Sequence, residues 1–150
     1  MSIEVVIADY THIQQITRLM QEHRSYVTAT PELIFDYKLC VQGLIHAIEE
    51  ERYILLVALR DKKVIGYLWL TILRPHFSSV FYASESYFFV TKTERGGRAF
   101  SKLLNEAIQC AKILGCAFLQ IGATSGNDNT TNIFRKRFEP VGEIFRLTLR

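Results

Sequence analysis

Three cysteines, three prolines and one tryptophan are all that the 150 residues contain of these types. Each scarcity closes off a class of protein. Cys40, Cys110 and Cys116 are odd in number and none stands in a Cys-x-x-Cys pair, so neither a disulfide framework nor a structural zinc site is indicated. They read as small core residues of a protein kept in a reducing, cytoplasmic compartment. His12, His23, His46 and His76 are scattered without His-x-x-x-His spacing, which argues against a metal centre. Long apolar runs are missing too. Ile54 to Leu59 and Val64 to Leu73 have the length of strands, and Gly66 breaks the second, so no membrane span is expected. The first residues carry Glu4 and Asp9 with no basic segment leading into an apolar run, which is not the pattern of a signal peptide. Charge of one sign is in short supply as well: a net +3 suits an anionic ligand but argues against nucleic acid as the main partner.

What is present is globular composition, with 49% apolar and 22% charged residues, no repeat and no linker-like stretch. One domain over residues 1–150 is expected. Ile3 to Ala8 reads as a strand, after which Asp9 or Thr11 can cap a helix whose apolar face is Ile13, Ile16, Leu19 and Met20. Thr30-Pro31 predicts the start of a second helix, with Leu33, Tyr37, Val41, Leu44 and Ile48 on one face. Tyr53 to Arg60 and Val64 to Leu73, joined by Asp61-Lys62-Lys63, make a hairpin, and a third antiparallel strand follows over about Val80 to Thr91. Ala117 to Gly122 is a short strand reached through a helix, hence parallel to its predecessor. A short helix through Lys136 and a last strand or hairpin, carrying Val141, Ile144, Phe145, Leu147 and Leu149, complete the order. That last strand also offers an edge with which another copy could form a homodimer.

The stretch from Ser84 to Leu104 organises the rest. Tyr87 to Val90 has the aromatic and β-branched composition of a buried strand, whereas Ala99, Leu103, Leu104, Ala107, Ile108 and Ala111 fall at helical spacing up to Gly115, a C-cap. A strand, tight loop and helix in succession leave the first helical amides without intrahelical partners and turn the positive end of the helix dipole toward the loop. Gly96 and Gly97 clear side chains from those amides, and Arg95 and Arg98 add positive charge. The arrangement suits a phosphate; the plainer reading is a polar turn between a core strand and a surface helix.

Val90, then Arg95, a glycine-rich step and Ser101-Lys102-Leu103-Leu104 resemble the acyl-CoA pyrophosphate loop of the GNAT N-acetyltransferases. In that family's signature Arg95 takes the first position, while Arg98 and Phe100 stand where small residues are usual. The element order over essentially the whole chain is similar to the same family. The resemblance implies an α/β (α+β) fold, with a mixed sheet of about six to seven strands flanked by about four helices. It implies acetyl-CoA as co-substrate, with its pyrophosphate on the amides of Gly96, Gly97, Arg98, Ala99 and Phe100 and its pantetheine along the main chain of Phe88, Phe89 and Val90. The activity implied is acetyl transfer to a primary amine of a small molecule or a protein.

Such a transfer needs a neutral amine and a route for its proton. Glu85 is the one carboxylate inside an otherwise apolar strand, so it is the candidate general base, against the alternative that it faces solvent. The family's thiolate acid is a tyrosine. At the matching spacing from Asn127 this chain has Phe134, which has no proton to give. A protein of this fold that binds CoA or a macromolecular partner without efficient catalysis therefore stays open. Trp69, Tyr82 and Tyr87 are candidates for an acceptor cleft or for core. Arg135-Lys136-Arg137 is weighed as a phosphate contact and, with more weight, as a solvated helix end.

Overall fold

The computed structural model describes residues 2–27, 30–122 and 128–149. Two compact units divide the chain, Met1–Gln120 and Ile121–Arg150. In the first unit the elements are β1 (Glu4–Ile7), α1 (Ile13–Tyr26), α2 (Tyr37–Glu49), β2 (Tyr53–Arg60), β3 (Lys63–Leu73), β4 (Tyr82–Val90), α3 (Ala99–Ile113) and β5 (Leu119–Gln120). The second unit carries α4 (Asp128–Arg137).

The sheet runs β1-β2-β3-β4-β5, antiparallel except for the parallel pair β4 and β5. Its apolar strands are explained by cover on both faces. Ile54, Leu56 and Ala58 of β2 join Ala99, Leu103, Ala107 and Ala111 of α3 in one core, while Leu55 and Val57 join Ile16 and Leu19 of α1 and Leu44 and Ala47 of α2 in the other. Alternation thus delivers an apolar side chain to each layer, and the usual outward polar row disappears. Asp61 and Lys62 close the β2–β3 hairpin with φ of 51° and 65°, the two left-handed residues that a tight hairpin turn needs. Gly66, opposite Val90, lets α3 come close: a Cβ there would lie 2.9 Å from the Phe89 carbonyl oxygen and 3.2 Å from Leu103 Cδ1.

Three sequence expectations need correction. The second helix begins at Tyr37, capped by Asp36 accepting from the Leu39 amide at 3.1 Å, and not at Pro31. The Arg24 guanidinium donates to the carbonyls of Val27, Thr30 and Leu33 and so holds the preceding segment in a non-helical path. The sheet has five strands among the described residues, fewer than the six to seven expected, and β5 is two residues long. Finally, residues 138–149 form no strand, and Ile144, Phe145, Leu147 and Leu149 are largely exposed. Phe145, Leu147 and Leu149 alternate with Arg146 and Thr148 and would give an extended chain one apolar face, but no strand among the described residues pairs with it.

Candidate active site

β4 supplies the site's wall. Trp69 of β3 pairs with Tyr87, but the next residue, Leu70, pairs with Glu85, so Ser86 is an extra residue in a β-bulge. The bulge is held across the strands by the Thr71 and Ser86 hydroxyls, 2.8 Å apart. Glu85 is half-buried, opposite Leu70 of the α3-side core, so alternation sets it on that side of the sheet with Ala83. Beyond the bulge, Phe88 and Val90 also join the α3-side core and Phe89 the opposite one.

β5 follows β4 only at Ala83 and Ser84. Its approach is zipped by the Ala117 amide to the Phe81 carbonyl at 2.8 Å and the Ala83 amide to the Phe118 carbonyl at 3.0 Å. From Glu85 to Val90, β4 runs on without β5 paired to it. β4 ends at the loop into α3. There Gly96 has φ of +82°, a conformation that costs a side-chain-bearing residue about 1–2 kcal/mol. Gly97 has an ordinary φ, and a Cβ on it would lie 3.3 Å from the Glu94 carbonyl oxygen.

α3 begins at Ala99 with Arg98 as its N-cap, and the Arg98 side chain makes no cap hydrogen bond. No acidic residue stands in the first turn, so the positive end of a 15-residue helix faces the loop without a protein counter-charge in that turn. At its other end the helix closes as the sequence predicts: Gly115 has φ of +76°, its amide bonds to Lys112 and the Cys116 amide to Ala111. Ala99 is fully buried, and Phe100 stacks on Phe88 with centroids 4.2 Å apart and planes 9° from parallel. The large side chain at this usually small position is thus drawn against β4.

Arg95 is placed differently from the phosphate-side expectation. Its Nε donates to the Val90 carbonyl at 3.2 Å, and its guanidinium lies 4.7 Å from the Tyr26 ring centroid and 5.3 Å from that of Phe89. Next to it, His23 stacks on Phe89 at 4.6 Å and shares a 2.7 Å hydrogen bond with the Tyr67 hydroxyl. Burial, and then the Arg95 charge, push the His23 pKa down, while burial pushes the Tyr67 phenol up, so both are neutral near pH 7. Trp69 lies between Tyr53 and Tyr87 at 5.8 and 5.4 Å, and Tyr82 stacks on Phe118 at 4.8 Å. Tyr87 is half exposed.

Of the remaining sequence-predicted residues, Asn127 lies outside the described ones. Phe134 belongs to α4, is buried and meets Phe138 edge-to-face at 5.9 Å. Sequence reasoning missed the polar residues that hold the loop. Glu22 of α1 accepts from the Thr91 hydroxyl and the Lys92 amide, and Arg60 pairs with Glu94 at 3.0 Å. Partners separated by up to 70 residues leave no local pattern to read.

The matching family model is the acetyltransferase (GNAT) family, over residues 13–138. The chain belongs to that family, whose members are acetyltransferases. Among solved structures, a transcriptional regulator from Bacillus halodurans C-125 superposes with a TM-score of 0.83 at 16% identity, covering 99% of this chain and 100% of that one. An aminoglycoside acetyltransferase, meta-AAC0020, from an uncultured soil metagenomic sample in complex with sisomicin, gives 0.76 at 20% identity, covering 99% and 96%. The aminoglycoside N-acetyltransferase AAC(6')-Iy in complex with CoA gives 0.79 at 14% identity, covering 99% and 95%. At these identities the likeness is one of fold. Comparison with curated proteins gives no match. No helix among the described residues is long and apolar enough to cross a membrane.

Proposed function

We infer that the protein is an N-acetyltransferase that moves the acetyl group of acetyl-CoA to a primary amine, and that residues 1–150 act as one such domain. The observation that carries this reading is the stretch of β4 from Glu85 to Val90 that β5 does not pair, leading to the α3 N-terminus and its first turn without a side-chain cap. Those residues fit the co-substrate: amides of Gly96, Gly97, Arg98, Ala99 and Phe100 would receive the pyrophosphate, and the main chain of Phe88, Phe89 and Val90 would line the pantetheine arm. The Arg95 side chain would serve by holding the loop to β4. Acetyl-CoA brings a thioester whose thiolate is a good leaving group.

Glu85 is assigned the general base, taking the proton of the amine nitrogen as that nitrogen bonds to the acetyl carbon and the carbon–sulfur bond breaks. Its half-buried place beside the bulge supports this role. Phe134, if it lies at the sulfur as its spacing from Asn127 implies, offers no proton, so the thiolate would leave without a side-chain acid there. That same substitution favours a second reading, a CoA-binding member of the family with weakened catalysis. The aminoglycoside acetyltransferases among the structural neighbours give a first set of amines to assay, with peptide amines beside them. A cytoplasmic location is in keeping with three free thiols.

Acetyl-CoA at 1,000 times its dissociation constant should stabilise the protein by about 4 kcal/mol, which a thermal-shift titration reads directly. Absence of any shift at millimolar acetyl-CoA would refute both readings. Glu85→Gln then separates them: roughly a hundredfold loss of turnover with acetyl-CoA affinity unchanged is expected of an enzyme, and equal turnover would remove Glu85 from the mechanism.

A further inference from the structure

The segment that leads from β4 to the α3 amides contains one 3-10 turn, Lys92–Glu94, none of whose residues is buried. An open cavity of about 520 Å³ lies against it, lined by Leu19, Glu22, Arg60, Val64, Thr91 and Glu94 among others. A loop over such a space cannot be located by close packing, so its position rests on polar contacts. The last turns of α1 provide several of them, beside the bond from the Thr91 amide to the Ile65 carbonyl at 2.9 Å. The Glu22 carboxylate accepts from the Thr91 hydroxyl at 2.8 and 3.1 Å, one oxygen each, and from the Lys92 amide at 3.2 Å. Four residues on, the Tyr26 ring receives the Arg95 guanidinium at 4.7 Å. Glu94 is tied separately to β2 through Arg60, with Nε at 3.1 Å and Nη2 at 3.0 Å.

We propose that the end of α1 positions the acyl-CoA loop, with Glu22 as the principal positioning residue. The proposal rests on the reading of that loop as the pyrophosphate site. Glu22 is remote in sequence from the amides it serves and touches none of them. It fixes Thr91 and Lys92, and the chain has only Thr93 to Arg95 in which to lose that register before Gly96. Charge-assisted bonds from a hydroxyl and an amide to a carboxylate are the stronger kind, and removing them releases the start of the turn while leaving the Arg60–Glu94 tie in place. An ordered loop presents its amides to a phosphate with little further ordering cost, so affinity for the anion should follow the order of the turn.

The test uses the full chain and three variants: Glu22→Gln, Thr91→Val and, as a control on the exposed side of the same helix, Gln21→Ala. Amide hydrogen exchange in the ligand-free protein reports the turn, and calorimetric titration with acetyl-CoA reports affinity. In Glu22→Gln and Thr91→Val, exchange at residues 92–98 should quicken roughly tenfold with the rest of the sheet unchanged. The acetyl-CoA dissociation constant and KM should rise by a similar factor, with kcat at saturation kept. The double variant should cost less than the sum of the two single ones, because they share the Thr91–Glu22 bonds. Exchange equal to that of Gln21→Ala would overturn the proposal. So would faster exchange spread evenly over β2 to β4, which marks a merely structural role, or a loosened turn with unchanged affinity. If the unmodified protein binds no acetyl-CoA, the proposed function fails, and the exchange rates still decide whether Glu22 holds the turn.

Discussion

Gly96 and Gly97 stand side by side in the loop before α3, yet their backbone and surroundings differ, and replacing each by alanine separates stability from binding. Gly96 has φ of +82°, and a Cβ added to it would meet nothing within 4 Å, so space is not the difficulty there; backbone conformation is. Alanine should cost about 1–2 kcal/mol, or roughly 3–6 °C in melting temperature for a domain of this size. Gly97 has no such φ, and its alanine Cβ would press on the Glu94 carbonyl oxygen at 3.3 Å, a contact that a shift of a few tenths of an ångström relieves. The expected stability loss is therefore under about 1 kcal/mol. On binding the order should reverse for a larger side chain, because Gly97→Val puts branched bulk beside the amides meant for phosphate. Urea unfolding gives the first comparison and calorimetric titration with acetyl-CoA the second. A larger stability loss in Gly97→Ala than in Gly96→Ala would refute the conformational argument, and unchanged affinity in Gly97→Val would refute the placement of the phosphate.

Further predictions concern the scaffold. Gly66→Ala should destabilise by about 1–3 kcal/mol, measured by urea unfolding, because its Cβ would meet the Phe89 carbonyl oxygen at 2.9 Å and Val90 Cγ2 at 3.1 Å, between a sheet and a helix that cannot both yield. Asp36→Ala should cost about 1 kcal/mol through loss of the α2 cap, whereas Thr30→Val should cost little, and the reverse result would restore the earlier helix start. His23 has a lowered pKa in the fold, so below about pH 6.5 the unfolded chain takes up a proton that the native state resists. Stability should accordingly fall as pH drops through that value, and the fall in melting temperature between pH 7.5 and 5.5 should be smaller in His23→Gln. An identical pH profile in the two proteins would remove His23 from the titration.

The sequence by itself determined the features whose causes are local. Tyr53 to Arg60 and Val64 to Leu73 read as hairpin strands because their runs are apolar and a short turn joins them, and α3 ends at Gly115 because only glycine takes that φ freely. Tertiary structure decided what depends on distant partners. Thr30-Pro31 carries a sound helix-start signal, but Arg24 claims the carbonyls on either side of it, so α2 waits for Asp36. The apolar run from Ala117 makes only a two-residue strand, paired with β4 at Ala83 and Ser84 alone. Residue spacing could nominate Glu85, but only the pairing register shows it one residue before the β4 bulge. Glu22 carried no signal at all: a glutamate on an amphipathic helix looks like any solvated charge until the fold brings Thr91 and Lys92 to its carboxylate.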